Sequence, residues 1–223
     1  MLTTFALTSL LAFAPGAAPV CIEAPVPVGP TVFAASATDD ALRALYEKGV
    51  NYADFMDSAT RRKALWEHNT EVSAGLDMAL VERARAVGGT WRFLVVAVDS
   101  CSDSVNTVPH LARLVSLVDG LDMRIVDSTV GREVMDAHKT PDGRGSTPTM
   151  VLLDDEWNEA GCFIERPMHL QDWIAENDGT LSRDAIFEGK MEWYQTDAGG
   201  QTVEEFVTML ESASRGDSVC QGS

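Results

Sequence analysis

The stretch WRFLVVAVDSCSDSVNTVP (Trp91–Pro109) decides the fold class of this chain. Its first part, residues 91–98, is a continuous apolar and β-branched run, which is typical of a central strand covered on both faces. Apolar residues then recur at helical spacing over residues 104–119. The pattern therefore predicts a strand that turns directly into a helix, with Cys101 at the turn.

The segments that follow extend this unit into a sheet. Residues 121–127 predict a second strand, which completes a parallel βαβ crossover by residue 127, and residues 131–138 predict a short helix. TPTMVLLDD (147–155) and EAGCFIER (159–166) flank the polar turn DDEWN and predict an antiparallel hairpin, followed by a helix that begins at Pro167. The order βαβ then ββα predicts an α/β fold, a central mixed sheet flanked by helices. Its four strands are expected near Phe93, Ile125, Met150 and Phe163.

Helical segments surround this central part. Residues 39–49, 52–75 and 77–87 carry helical patterns before the first strand, and we expect further helices over residues 180–214. The prediction is one domain over residues 39–214, with N-terminal helices (39–89) and C-terminal helices (180–214). A Pro- and Ala-rich linker over residues 19–38 and a flexible tail over residues 215–223 are expected on either side.

The N-terminal sequence indicates the cellular compartment in which the protein acts. The apolar stretch TFALTSLLAFA (4–14) is too short to span a bilayer and has the length of the apolar region of a signal peptide. Small residues follow it, although no Lys or Arg precedes it. The sequence therefore predicts a signal peptide over residues 1–18 and export to the periplasm or the medium, with a cytoplasmic protein as the alternative.

Composition narrows the possible partners. The chain has 17 Lys and Arg against 34 Asp and Glu, a formal net charge of −17. This balance argues against a nucleic acid or an anionic membrane surface as the partner. The acidic residues are spread along the chain, which favours a solvated surface.

The cysteines and histidines form no recognisable ligand motif. Cys21, Cys101, Cys162 and Cys220 lie far apart without a CxxC pair, so no zinc site or dense disulfide framework is predicted. Cys162 is expected to be a buried core thiol, whereas the terminal cysteines, 21 and 220, are left open as paired or free. The four histidines, His68, His110, His138 and His169, lack partners at ligand spacing and are expected on the surface or in packing contacts.

Cys101 is the candidate nucleophile. A cysteine between a strand and a helix lies where backbone N–H groups and the helix dipole stabilise the thiolate, which is the reactive form. Asp103 opposes this effect by placing negative charge near the sulfur. Ser104, three residues after the cysteine, is expected to donate a hydrogen bond to the thiolate.

Several linked segments resemble one protein family. YADFM, ALWEHN, SDSVNTVPHLARL, MDAH, GRGSTPT and EWYQTDAGGQTVEEF are similar to segments of a bacterial thioredoxin-like family with N-terminal helices and a WCGD[SAC] site. The resemblance implies a thioredoxin-like fold, with Cys101 as the attacking cysteine and Ser104 in place of a resolving cysteine. It also implies that Pro148 is the cis-proline that faces the active cysteine, with Thr147 before it, at the site that binds substrate. Ser100 and Ser102 depart from the family's Trp and Gly.

A site with one sulfur has limited chemistry. A serine hydroxyl cannot displace sulfur from a mixed disulfide at neutral pH, so dithiol reduction by this site alone is excluded. The resemblance then implies thiol–disulfide exchange of the monothiol type, with a disulfide-containing or thiol-modified protein or small molecule as substrate. An external thiol such as glutathione resolves the intermediate, and no bound cofactor or metal is expected. The alternative is a non-catalytic binding or docking module, because fold does not determine function.

Overall fold

The computed structural model describes residues 39–220, and these residues form a helix-flanked, five-stranded mixed sheet. Its strands are β1 (Trp91–Val96), β2 (Leu121–Val126), β3 (Thr149–Leu153), β4 (Glu159–Ile164) and β5 (Val219–Cys220). The strand order is β2-β1-β3-β4-β5, with β1 parallel to β2, β3 antiparallel to both β1 and β4, and β5 parallel to β4. The predicted mixed sheet and its four strands are confirmed. The predicted signal peptide (1–18), the linker (19–38) and Cys21 lie outside the described residues.

Helices precede, interrupt and follow the sheet. Before β1 lie α1 (Asp39–Lys48), α2 (Tyr52–Ser58), α3 (Lys63–Ser73) and α4 (Met78–Val87). Between the strands lie α5 (Ser102–Leu117) and α6 (Arg132–Ala137), and after β4 come α7 (Met168–Asn177), α8 (Arg183–Asp197) and α9 (Gly200–Ser214). The segment predicted as helical over 52–75 is interrupted between α2 and α3, where Arg62 takes a left-handed conformation with φ 52°. This break brings a turn of the chain to the end of β1, as described below.

Alternate residues of β1 face two separate cores. Phe93 and Val95 pack with residues of α5 and α9, whereas Leu94 and Val96 pack on the other face with residues of α1 and α6. All four side chains are fully buried. The apolar run from Phe93 to Val96 is explained by burial on both faces.

The C-terminal segment departs from the prediction. Residues 215–223 were expected to form a flexible tail, but Val219 and Cys220 form β5 and pair with Gly161 and Cys162 of β4. Cys162 is buried as expected, yet it is not a free core thiol, because it forms a disulfide with Cys220 across a Cα–Cα distance of 4.4 Å. The two cysteines are 58 positions apart along the chain, so local sequence patterns carry no signal for their pairing.

A bilayer-spanning helix needs about 20 consecutive apolar residues, and this requirement applies to each helix of residues 39–220. None of them is long and apolar enough to cross a membrane.

Candidate active site

Cys101 lies between the end of β1 and the first turn of α5. It is the N-cap residue of this helix, with extended backbone angles, and the backbone N–H of Ser104 donates to its Sγ at 3.4 Å. Its side chain is half-buried, and Cys101 is the one free cysteine among the described residues. The thiol is therefore both accessible and directed at the N-terminus of a 16-residue helix.

The loop before β3 forms the opposite side of the site. Because Val96 of β1 pairs with Thr149 of β3, the end of one strand lies beside the start of the other. The Cys101 thiol donates to the Thr147 carbonyl oxygen at 2.9 Å, and the Thr147–Pro148 peptide bond is cis. The structure thus brings Cys101 together with Thr147 and Pro148, the residues that the resemblance pairs with it.

Ser104 contacts the sulfur differently from the prediction. Its backbone N–H makes the contact, while its side chain is fully buried. Within the described part of the chain, the Ser104 hydroxyl has no hydrogen-bond partner. The expected hydrogen bond from the Ser104 hydroxyl to the sulfur is therefore absent from this state of the site.

A buried cluster of charges surrounds Asp103, the second residue of α5. Its carboxylate accepts hydrogen bonds from Lys190 Nζ at 2.8 Å and from the Tyr194 hydroxyl at 2.9 Å. The Arg166 guanidinium lies 3.4 Å from the same carboxylate. Lys190 Nζ also donates to Ser102 Oγ at 2.8 Å. The negative charge expected to oppose the Cys101 thiolate is thus compensated by two cations.

Tyr194 acts as a hydrogen-bond donor in this cluster. Burial raises the pKa of Tyr194 well above its usual value, and the charge of Asp103 adds to the rise. The phenol therefore remains protonated at neutral pH and keeps donating to the carboxylate. This contact holds α8 against the start of α5.

The turn between α2 and α3 contacts Asp99 and Ser100, which lie just before Cys101 in the loop between β1 and α5. Asp99 Oδ2 accepts hydrogen bonds from the backbone N–H groups of Thr60 at 2.9 Å and Arg61 at 2.8 Å. Burial acts to raise the pKa of Asp99, but these N–H groups outweigh it and hold the pKa below its usual value. Trp66 Nε1 donates to the Asp99 carbonyl at 2.9 Å, and Arg62 Nε donates to the Ser100 carbonyl at 2.7 Å.

The sequence patterns did not predict the residues that contact Asp103 or those that contact the loop before Cys101. Lys190 and Tyr194 lie four residues apart and hence on one face of α8, a spacing that could have marked them as a pair. Nothing local indicates that this face meets Asp103, 87 residues before Lys190. The role of Arg62 was not predicted, because the sequence pattern indicated a continuous helix over residues 52–75 and did not show the break at this residue.

The histidines are distributed as follows. His68 and His169 are exposed, in line with the surface expectation. His110 is buried in α5, where burial lowers its pKa to about 4 against the smaller opposing effect of Asp197. His138 is also buried, but it was wrongly expected to be isolated, since it contacts Glu159 and lies close to the disulfide.

Comparison with known proteins bears on the family and the fold of the chain. A family model described as thioredoxin matches residues 49–180, more than half of the chain. No curated protein matches the chain. A crystal structure of a protein of unknown function from Pseudomonas aeruginosa is similar, with a TM-score of 0.58, 20% identity and coverage of 76% of this chain and 96% of that chain. An HIV epitope-scaffold protein has a TM-score of 0.60 at 20% identity, covering 76% and 97%. At this identity the two structures show the fold alone.

Proposed function

The chain belongs to the thioredoxin family, and from this premise we propose that Cys101 performs thiol–disulfide exchange as a monothiol site. The observation that carries the proposal is the environment of its sulfur. The Cys101 thiol is half-buried at a helix N-terminus, accepts the Ser104 N–H and contacts the Thr147 carbonyl next to a cis-proline. A thiolate formed there gains the backbone N–H contact and the helix dipole.

The reaction has two displacement steps. In the first, the Cys101 thiolate attacks one sulfur of a substrate R–S–S–R′, which forms Cys101–S–S–R and releases R′–S⁻. In the second, the thiolate of an external thiol, R″–S⁻, attacks the R sulfur, which forms R–S–S–R″ and returns the Cys101 thiolate. Two electrons pass from the external thiol to the substrate. Ser104 contributes its backbone N–H to the sulfur and no second nucleophile.

The substrate is a disulfide-containing or glutathionylated protein or a small disulfide. Thr147 and Pro148 lie at the open end of β3, directly beside Cys101, where an extended substrate segment can approach the sulfur. We propose that this loop supplies backbone contacts to the substrate. Whether the protein acts after export or in the cytoplasm does not change these steps.

The test uses a Cys21→Ser background, in which Cys101 is the one free thiol, since Cys162 and Cys220 are joined. A glutathionylated peptide is supplied with reduced glutathione, and release of the peptide thiol is followed. We expect turnover and a mixed disulfide at Cys101 detectable by mass spectrometry, both of which disappear in Cys101→Ser. A protein that forms no mixed disulfide and gives no turnover would instead support the non-catalytic binding module.

Replacing Ser104 by Cys gives a second arm of the same test. The new sulfur lies three residues after Cys101 in the first turn of α5, the spacing of a CxxC site. We expect an internal disulfide between Cys101 and the introduced cysteine, and reduction of a protein disulfide without an external monothiol in the exchange step. If this pair cannot be oxidised, the two side chains do not face each other and the interpretation of SCSDS as an altered CxxC site is wrong.

A further inference from the structure

A second group of reactive side chains lies away from Cys101, around the Cys162–Cys220 disulfide. His138 directly follows α6, Cys162 belongs to β4 and Cys220 to β5. One nitrogen of the histidine and the two sulfurs all lie within 4.8 Å of one another. His138 and Cys162 are buried, and Cys220 is half-buried, so a small molecule can reach the cluster from one side.

The histidine is held in an orientation that suits metal binding. Its Nδ1 lies 2.8 Å from the Val134 carbonyl oxygen, which makes Nδ1 the donor to the backbone. The other nitrogen, Nε2, lies 2.8 Å from Glu159 Oε1. Histidines that bind metals commonly donate one ring N–H to a backbone carbonyl, which orients the ring. An ion at this cluster would take the place of the proton that Nε2 shares with Glu159 Oε1.

Glu159 supplies a fourth group. One carboxylate oxygen contacts His138 Nε2, while the other, Oε2, is buried and has no hydrogen-bond partner within residues 39–220. A buried carboxylate oxygen without a partner is costly. A cation at this position would satisfy it.

We propose that, when the Cys162–Cys220 disulfide is reduced, the two thiolates, His138 Nε2 and the Glu159 carboxylate bind a zinc-type divalent ion. Zinc takes four N, O and S ligands in a tetrahedron, with Zn–S near 2.3 Å and Zn–N near 2.0 Å. These lengths, with Zn–O near 2.0–2.2 Å, place the ligand atoms about 3.3–3.8 Å apart. The His138 nitrogen and the two sulfurs lie within 4.8 Å of one another, and the Glu159 carboxylate contacts the histidine. Separating the two sulfurs and moving the Glu159 carboxylate toward them are therefore the movements required.

Conversion of the disulfide to a metal site requires a reductant and releases protons. Two molecules of a small thiol, RSH, reduce the Cys162–Cys220 bond to two thiols and are themselves oxidised to RSSR, a transfer of two electrons. The ion then displaces the two thiol protons and any proton on His138 Nε2. The same residues thus form a covalent bridge under oxidising conditions and a metal site under reducing conditions. This inference does not depend on the chemistry of Cys101.

The test uses the Cys21→Ser/Cys101→Ser protein, which removes the other thiols. The protein is reduced with a phosphine, freed of reductant without oxygen and titrated with Co²⁺. We expect one Co²⁺ per chain, with thiolate-to-metal charge-transfer absorption and the d–d bands of a tetrahedral site, lost again when Zn²⁺ is added. The oxidised protein should give no such bands.

Variants identify the ligands. His138→Gln should weaken Zn²⁺ binding by about tenfold or more, whereas His68→Gln, at an exposed histidine of α3, should leave it unchanged. Zn²⁺ should also slow iodoacetamide alkylation of Cys162 and Cys220 in the reduced protein by at least tenfold. This last measurement needs no substitution at the cluster, so it decides the matter even if His138→Gln does not fold. Absence of the cobalt bands, or alkylation unchanged by Zn²⁺, overturns the proposal.

Discussion

Replacing Lys190 by Met removes one charge from the buried cluster beside Cys101. The Lys190 and Asp103 side chains are 9% and 7% exposed, and their charged atoms lie 2.8 Å apart. Met keeps most of the volume of the lysine side chain but leaves the Asp103 carboxylate without its closest cation. Removing one partner of a buried ion pair is much more costly than removing both, because the remaining charge stays desolvated.

The loss of stability expected for Lys190→Met follows from the contacts that Asp103 keeps. Breaking a buried pair costs about 3–5 kcal/mol. Asp103 keeps the hydrogen bond from Tyr194 and the neighbouring Arg166, 3.4 Å away, so we expect the lower end of this range, about 3 kcal/mol. For a chain of this size, that loss lowers the midpoint of thermal unfolding by about 6–12 °C.

The assay is thermal unfolding at pH 7, followed by circular dichroism on the oxidised protein. Lys139→Met is the matched control, because Lys139 is exposed, and it should change stability by no more than about 0.5 kcal/mol. The double variant Asp103→Asn/Lys190→Met removes both charges and leaves Arg166 paired with Glu165 at 2.5 Å. We expect it to be more stable than Lys190→Met alone. A Lys190→Met variant as stable as the control, or a double variant whose loss equals the sum of the single losses, would refute the reasoning.

Two further predictions concern stability. The pKa of His110 is about 4 in the folded state, below its usual value of 6.5, so the unfolded chain binds the extra proton and stability falls as the pH is lowered. Between pH 7 and pH 5 we expect the free energy of unfolding, measured by urea unfolding, to fall by about 2 kcal/mol. The free energy of unfolding of a His110→Gln variant should fall by less over the same range. An equal fall in both proteins would mean that another group titrates. Reducing the Cys162–Cys220 disulfide, whose cysteines are 58 residues apart, should lower the free energy of unfolding by about 2–4 kcal/mol. Urea unfolding with and without a phosphine measures this difference, and an unchanged urea midpoint would contradict the prediction.

The sequence by itself determined the elements and their order. The apolar run of β1, the helical spacing of α5 and the polar turn between β3 and β4 are local patterns, and each reflects a local physical requirement. The mixed sheet follows from their order, since few topologies satisfy the rules for connecting strands. The position of Cys101 between a strand and a helix was predictable for the same reason.

Tertiary structure decided which distant groups meet. Asp103 was expected to oppose the Cys101 thiolate because its partner, Lys190, comes from a helix 87 residues later along the chain. Cys162 was expected to be a free core thiol because its partner lies in a short edge strand that has no pattern of its own. The His138 cluster has the same origin, because its residues come from β4, from β5 and from the position directly after α6. Their separation along the chain does not match the spacing of a metal-ligand motif. Local periodicity records whether a side chain is buried, but the identity of its buried partner depends on how the elements pack, which single-residue patterns do not encode.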